Sequence, residues 1–464
     1  MVQLFVNRQQ ELQFLNKHYK SAMAELVVIY GRRRVGKTEF TLRFAQEKPH
    51  IYFFADQRPE TELIQELKQQ MSIYLHDESF AKLAVKDWID LFKEFTKWNK
   101  STRSLIIIDE FPVLIETNRA APSIFQKIWD QNLKNTSVML ILLGSSIAMM
   151  ENEVLDYKSP LYGRRTAQWK LEPLKICHLK PFFPHYNFET LVQVYGTLGG
   201  VPAYLQKFNP ENSFWENIQQ KILTKGEFLY EEAEFLLREE LREPRNYAII
   251  LKAIAQEAQT HGEILNKTSI DKSMLSKYAS VLEDLGFIKR SQPLGMTPKP
   301  RKSQYTIADN YLNFWFKYVF PNKNELEAGN SEAVLNKIEQ DYTVYLGHVF
   351  EEISAELLTE MKTSQTLPFN FTSIGKWWFK GDEIDLIAID EEKLTATFIE
   401  TKWSNLNTTD CQRILQKLKN KAQHFSWKRN KENFAVVAKH IEEKEKLTKQ
   451  GQFVFDLEDF QSLL

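Results

Sequence analysis

Three groups of residues in this chain have the types and spacing that chemistry needs. The run Gly31-Arg32-Arg33-Arg34-Val35-Gly36-Lys37-Thr38 fits the pattern G-x-x-x-x-G-K-[ST] at every fixed position. In such a loop, backbone N–H groups and the positive end of the next helix point at one place, and a triphosphate fits there. Gly31, Arg34, Val35 and Gly36 shape that cradle, Lys37 would reach the β- and γ-phosphates, and the Thr38 hydroxyl would take a position on Mg²⁺. The second group follows the apolar run Leu105-Ile106-Ile107-Ile108, which ends in Asp109-Glu110. Asp109 can hold Mg²⁺ directly or through water, and Glu110 is placed to orient or deprotonate the water that attacks the γ-phosphate. Hydrolysis of ATP, and not only its binding, is therefore expected. Ser145 or Ser146, after the run Val138–Leu143, could contact the γ-phosphate or the attacking water, although a plain strand-to-loop turn reads equally well. Arg164, in Leu161-Tyr162-Gly163-Arg164-Arg165, could stabilise transition-state charge in cis or from a neighbouring subunit; an ordinary surface arginine pair is the alternative.

The third group lies near the carboxy terminus. Glu383-Ile384-Asp385-Leu386-Ile387-Ala388-Ile389 alternates polar and apolar, Asp390-Glu391-Glu392-Lys393 turns the chain, and Thr397-Phe398-Ile399-Glu400-Thr401-Lys402-Trp403 returns. A side-chain period of two puts Glu400 and Lys402 on one face, where Asp385 can meet them across the hairpin. Two carboxylates and a lysine on one sheet face make a site for Mg²⁺ or Mn²⁺ able to activate water against a phosphodiester, with Lys402 orienting the nucleophile or neutralising charge. Glu351 or Glu352, on a helix over Leu346–Leu358, could add a ligand. The bland alternative is a cross-strand ion pair. The stretch Cys411 to Lys431 tilts the balance, since it carries seven Lys/Arg and no Asp or Glu, whereas a solvated helix face mixes signs.

These groups need elements to hold them. Leu26–Tyr30, Ile51–Phe54, Leu105–Ile108 and Val138–Leu143 read as buried, β-branched strands, with helices between them that include Thr61–Tyr74 and Trp88–Trp98. That alternation predicts an α/β fold with a doubly wound parallel sheet and ligand at the carboxyl ends of its strands. From Leu171 the chain turns mainly helical, with a break at Gly199-Gly200-Val201-Pro202. Helices over Tyr247–Ala258, Glu263–Thr268 and Lys272–Leu285, then strands at Phe287–Arg290 and Ser303–Ile307, predict a winged helix-turn-helix. Lys272, Ser273 and Lys277 would face a groove, and Arg301 and Lys302 a phosphate backbone, unless the module only joins its neighbours.

With 464 residues the chain has room for two to four domains. Its 60 basic and 61 acidic residues leave a net charge of −1, so any nucleic-acid surface must be local. Two distant cysteines suggest reduced thiols, and neither a signal pattern nor a membrane-spanning apolar run is present, which predicts a cytoplasmic protein with no membrane partner.

The amino-terminal half resembles the archaeal-type ATPases of the AAA+/STAND group. The matching pieces are Phe5-Val6-Asn7-Arg8, the glycine loop, Asp109-Glu110-Phe111, Leu161-Tyr162-Gly163-Arg164 and Gly199-Gly200-Val201-Pro202-Ala203-Tyr204, with Asp309-Asn310-Tyr311-Leu312-Asn313-Phe314-Trp315-Phe316 after the helix-turn-helix. The tail is similar to the PD-(D/E)xK nuclease-like domain often appended to these ATPases, through Gly347-His348-Val349-Phe350-Glu351, Gly375-Lys376-Trp377-Trp378, Glu383-Ile384-Asp385 and Glu400-Thr401-Lys402. The resemblance implies a P-loop ATPase core over 1–170, with Arg8 among its nucleotide-site residues, a helical lid over 171–240, a winged helix over 241–325 and a restriction-endonuclease-like α/β domain over 330–464. It also implies an ATP-coupled, metal-dependent site acting on DNA, with homo-oligomer formation open. A nucleotide-driven switch whose tail binds without cutting is the other reading.

Overall fold

The computed structural model describes residues 5–101, 103–241, 243–296 and 303–464. They divide into two compact units, one over Phe5–Pro173 and one from Leu174 to Leu464.

The first unit is built on five parallel strands: β1 (Glu25–Tyr30), β2 (His50–Phe54), β3 (Ser104–Asp109), β4 (Val138–Gly144) and β5 (Ala167–Lys170), in the order β2-β3-β4-β1-β5. The four strands expected from the sequence are all present; β5 was not expected, because its Ala-Gln-Trp-Lys lacks an apolar run. Both sheet faces are buried, as period-two side chains require when helices cover each side. Val27, Ile29, Leu105, Ile107, Ile141 and Leu143 pack with Leu15 of the helix Gln9–Tyr19 and Phe40 and Phe44 of the helix Lys37–Ala45. Their neighbours Leu26, Val28, Ile106, Ile108, Leu140 and Leu142 pack on the other face with Leu63, Leu67, Leu91, Phe92 and Phe125. The helices Glu60–Leu75 and Trp88–Trp98 agree with the sequence reading.

In the second unit, helices Pro244–Ala255, His261–Thr268 and Lys272–Asp284 are followed by an antiparallel pair, β6 (Ile288–Ser291) and β7 (Gln304–Ile307). Thr260 and Glu263 close a capping box on the middle helix, and Asp271 caps the third by accepting from the Ser273 amide at 2.8 Å. Lys299, Arg301 and Lys302 lie outside the described residues.

The carboxy-terminal sheet is mixed, in the order β12-β11-β10-β9-β8, with β8 (Ser373–Phe379), β9 (Asp382–Asp390), β10 (Thr395–Leu406), β11 (Lys431–Ile441) and β12 (Phe453–Phe455). β9 and β10 form the expected antiparallel hairpin, with Phe398 opposite Ile387 and Ile399 opposite Leu386. The helix expected over Leu346–Leu358 is the middle of a 33-residue helix, Ser331–Thr363, that packs on β10. The basic stretch is only partly helical: Thr408–Ala422 forms a helix whose Leu415 and Leu418 pack on the sheet, and the rest leads into β11. Among the described residues, no helix is long and apolar enough to cross a membrane.

Candidate functional site

The glycine loop joins the end of β1 to the helix Lys37–Ala45, as the motif requires. Gly31 cannot be replaced without a shift, because a Cβ there would lie 2.4 Å from the Leu171 carbonyl oxygen. Arg34 (φ 66°) and Gly36 (φ 93°) both take left-handed backbone, which turns the loop's amides inward. Val35 is fully buried and anchors the loop in the core. Lys37 folds back over the loop, its ammonium donating to the carbonyls of Gly31 at 2.9 Å and Arg32 at 3.0 Å. Arg8 is buried beside the loop and donates to the Val35 carbonyl at 3.3 Å and the Glu172 carbonyl at 2.7 Å. It thus braces the backbone of the cradle from outside.

Strand order then does what sequence spacing could not. Because β4 lies between β1 and β3 and all three run parallel, the residues that follow β1, β3 and β4 gather at the carboxyl ends of the strands. The Thr38 hydroxyl donates to Asp109 Oδ2 at 2.7 Å. Asp109 is 1 % exposed and also accepts from the Tyr52 hydroxyl at 2.8 Å, while its Oδ1 takes the Glu110 amide at 2.8 Å. Burial and the adjacent Asp109 carboxylate raise the Tyr52 phenol above its ordinary value, so Tyr52 stays a donor. Glu110 sits in left-handed backbone (φ 54°) at the start of the helix Phe111–Thr117, and its Oε1 accepts the Ser145 hydroxyl. Two hard oxygen donors side by side, Thr38 and Asp109, suit Mg²⁺. Tyr52 was missed in the sequence: one tyrosine in a β-strand reads as core, and only the pairing of β2 with β3 aims it at Asp109.

Arg164 points elsewhere. Its guanidinium grips Asp130 through two contacts of 2.9 and 3.0 Å and donates to the Pro160 carbonyl at 3.1 Å. Arg165 donates to the Leu155 carbonyl at 3.2 Å.

In the second unit, the face expected for Asp385, Glu400 and Lys402 is assembled. Lys402 Nζ donates to Glu400 Oε1 at 2.9 Å and lies 3.6 Å from Asp385 Oδ2. Asp385 is held by the Thr401 amide at 2.8 Å, and Lys421, from the basic helix, reaches Glu400 Oε2 at 3.5 Å. Glu351 pairs with Lys376, whereas Glu352 turns away to Lys289 at 2.6 Å. Burial pushes the Glu351 carboxyl up to about 7, with Lys376 opposing and Asp385 adding to the rise. Burial works against the Lys402 charge, yet Asp385 and Glu400 hold its pKa above the ordinary lysine value. Among the described residues, no three Asp, Glu, His or Cys side chains converge as a metal-holding cluster. Lysines pair with each of the three carboxylates instead. The sequence reading holds Lys376 only within the Gly375–Trp378 match and Lys421 only within the basic stretch, with no role of their own, since only the fold brings these two to the carboxylates.

Residues 5–208 match the family described as "ATPase domain predominantly from Archaea". A protein of Methanocaldococcus jannaschii, uncharacterized protein MJECL04, is 41% identical over 98% of this chain and 100% of its own length. The chain belongs to the archaeal ATPase family. Its first unit is accordingly that of a nucleotide-binding P-loop ATPase. A shorter relative from the same organism, the uncharacterized ATP-binding protein MJ0423, is 47% identical over 10% of this chain and 76% of its own length. The fold of this family member is similar to that of the Walker-type ATPase PABY2304 of Pyrococcus abyssi, with TM-score 0.50, 21% identity, and coverage of 67% of this chain and 96% of that one. Residues 315–414, which include all of β8, β9 and β10, match a family described as archaeal and bacterial proteins of unknown function.

Proposed function

We propose that this ATPase hydrolyses ATP with Mg²⁺ at the Thr38–Asp109 pair, and that its carboxy-terminal face is a metal-dependent nuclease site acting on DNA. The observation that carries the first part is the link from Thr38 through Asp109 to Glu110 and on to Ser145. The loop amides and Lys37 bind and orient the phosphates. Lys37 leaves its loop carbonyls to do so. Glu110, fixed by the short helix behind it and by the Ser145 hydroxyl, takes the proton of the attacking water. Thr38 and Asp109 would hold Mg²⁺, as would Asp385 and Glu400 in the second unit, and the cation would neutralise charge on the reacting phosphate. Arg164, tied to Asp130, would act in trans or after leaving that partner.

The second part is supported by the single-faced grouping of Asp385, Glu400 and Lys402, with Lys421 beside them. Lys402 and Lys421 supply positive charge for a phosphodiester, and Glu351 is available as a further ligand once Lys376 turns to the substrate. The three-helix and hairpin module reads as a winged helix, and the four-part division at 170/171, 240/241 and 325/330 follows from that assignment. A homo-oligomer would present Arg164 to a neighbouring nucleotide.

Two assays test the proposal. ATP turnover with Mg²⁺ is compared for wild type, Lys37→Ala and Glu110→Gln. Cleavage of plasmid and single-stranded DNA with Mg²⁺ or Mn²⁺, with and without ATP, is compared for wild type and Glu400→Ala. Loss of cleavage in the variant is the expected outcome. No cleavage under any metal, with turnover intact, replaces the nuclease reading with a nucleotide-driven switch.

A further inference from the structure

Glu351, Lys376, Asp385 and Lys421 line a cavity of about 500 Å³, and the last two connect it to Lys402 and Glu400. Gln259, Thr306, Asn313 and Lys317 also line it, and they come from the three-helix and hairpin module and the segment just after β7. The cavity therefore has one wall from the carboxy-terminal sheet and its long helix, and another from a module over a hundred positions earlier in parts of the chain.

Size and lining decide what enters. Sites for small ligands run from about 300 to 1,000 Å³, so this cavity takes a nucleotide unit or two. A duplex is a rigid helix whose major groove alone is about 12 Å wide, and a cavity of about 500 Å³ does not admit one. A single strand can bend its backbone into such a space. Lys317, paired with Glu257 and Asp341, Lys376, paired with Glu351, and Lys421, 3.5 Å from Glu400, would exchange those carboxylates for its phosphates, while the side-chain amides of Gln259 and Asn313 carry the donor and acceptor pair that base edges match.

We propose that the carboxylate site acts on a single nucleic-acid strand entering this cavity, and that the strand passes Thr306 and Gln259 on the wall away from the carboxylates. The substrate class rests on the nuclease reading above. Thr306, on β7, and Gln259, in the loop after the first helix of the module, touch neither Asp385 nor Glu400 in any hydrogen bond or ion pair, so filling the cavity from their side leaves the carboxylate face intact.

The test uses the full-length chain and two fluorescein-labelled DNAs of one sequence, a linear single strand and a closed dumbbell duplex with no free end. Fluorescence anisotropy with Ca²⁺ measures binding, and incubation with Mg²⁺ or Mn²⁺ measures cleavage. Binding of the strand at least tenfold tighter than of the dumbbell is expected, with a tenfold or greater loss in Thr306→Trp and unchanged ATP turnover. Gln259→Trp repeats the measurement from a second position, so a Thr306→Trp protein that melts early does not leave the question open. Equal affinity for both DNAs, unaffected by either tryptophan, overturns the inference. Cleavage of the dumbbell that depends on Glu400, with the strand untouched, overturns the substrate class and leaves the nuclease reading standing. Strand-selective binding with no cleavage of either DNA overturns the nuclease reading and leaves the cavity as a strand-binding site.

Discussion

The Thr38 hydroxyl donates to Asp109 Oδ2 at 2.7 Å, joining the last residue of the glycine loop to the end of β3. Tyr52 shares that oxygen at 2.8 Å. Tyr52→Phe removes one donor from a buried carboxylate without changing shape. Stability is expected to fall by about 1 to 3 kcal/mol. ATP turnover should drop several-fold while nucleotide binding persists; thermal unfolding and steady-state turnover read the two effects separately.

Glu110→Gln keeps the size of the side chain and removes the carboxylate proposed as the base. Turnover should fall by about 10² to 10⁴, with ATP affinity retained, measured by single-turnover hydrolysis beside equilibrium binding. Ser145→Ala frees the Glu110 carboxylate from its hydroxyl partner and should lose far less, an order of magnitude at most.

Arg8 braces the loop through the Val35 and Glu172 carbonyls. Arg8→Ala removes charged hydrogen bonds of about 1.5 to 3 kcal/mol each. Because the group it supports binds phosphate, KM for ATP should rise more than kcat falls. A change in kcat alone would assign Arg8 to the chemistry.

Asp385 and Glu400 differ in what they hold. Asp385 accepts the Thr401 amide at 2.8 Å, so Asp385→Ala strands a backbone donor within β10 and should destabilise the protein by about 1 to 3 kcal/mol. Among the described residues the Glu400 carboxylate is hydrogen-bonded by Lys402 and Lys421, and Glu400→Ala should leave the melting temperature nearly unchanged while removing the proposed cleavage. Denaturant unfolding of the two variants checks the contrast.

Gly200 lies against the Leu174 backbone, and an added Cβ would fall 1.7 Å from the Leu174 oxygen. The Leu174 amide donates to the Gly200 carbonyl at 2.7 Å, so neither segment can retreat without losing that bond. Gly200→Ala should cost about 3 kcal/mol or more, seen as a lower unfolding midpoint. Gly262→Ala is the control, because nothing lies within 4 Å of its Cβ position and its backbone is that of the helix His261–Thr268.

Much of this was legible in contiguous residues. The glycine loop, the Asp109-Glu110 strand end and the β9–β10 hairpin each write their geometry locally. A period-two burial pattern, a capping residue or a phosphate loop is set by neighbours within one element. For that reason four of the five first-sheet strands and the shared face of Asp385, Glu400 and Lys402 were readable directly. Helix ends were less so: the run around Glu351 extends to Ser331 and Thr363 because buried contacts from Val334 to Met361 continue along it.

Other features required the folded chain. The order β2-β3-β4-β1-β5 brings Tyr52 to Asp109 and Ser145 to Glu110, and neighbour relations among parallel strands are set by crossovers that no local pattern encodes. Arg164 looked equally fit for catalysis or for the surface until Asp130 came within 2.9 Å of it. Lys376, Lys421, Gln259 and Thr306 come from elements outside the β9–β10 hairpin; the two lysines reach the carboxylates, and the other two line the same cavity, only when the second unit packs. Residue types and spacing thus determined which chemistry the chain can do, because those are local matters of donors, charge and backbone turn. Tertiary packing decided which groups share a space, because proximity across elements depends on how their apolar faces bury one another.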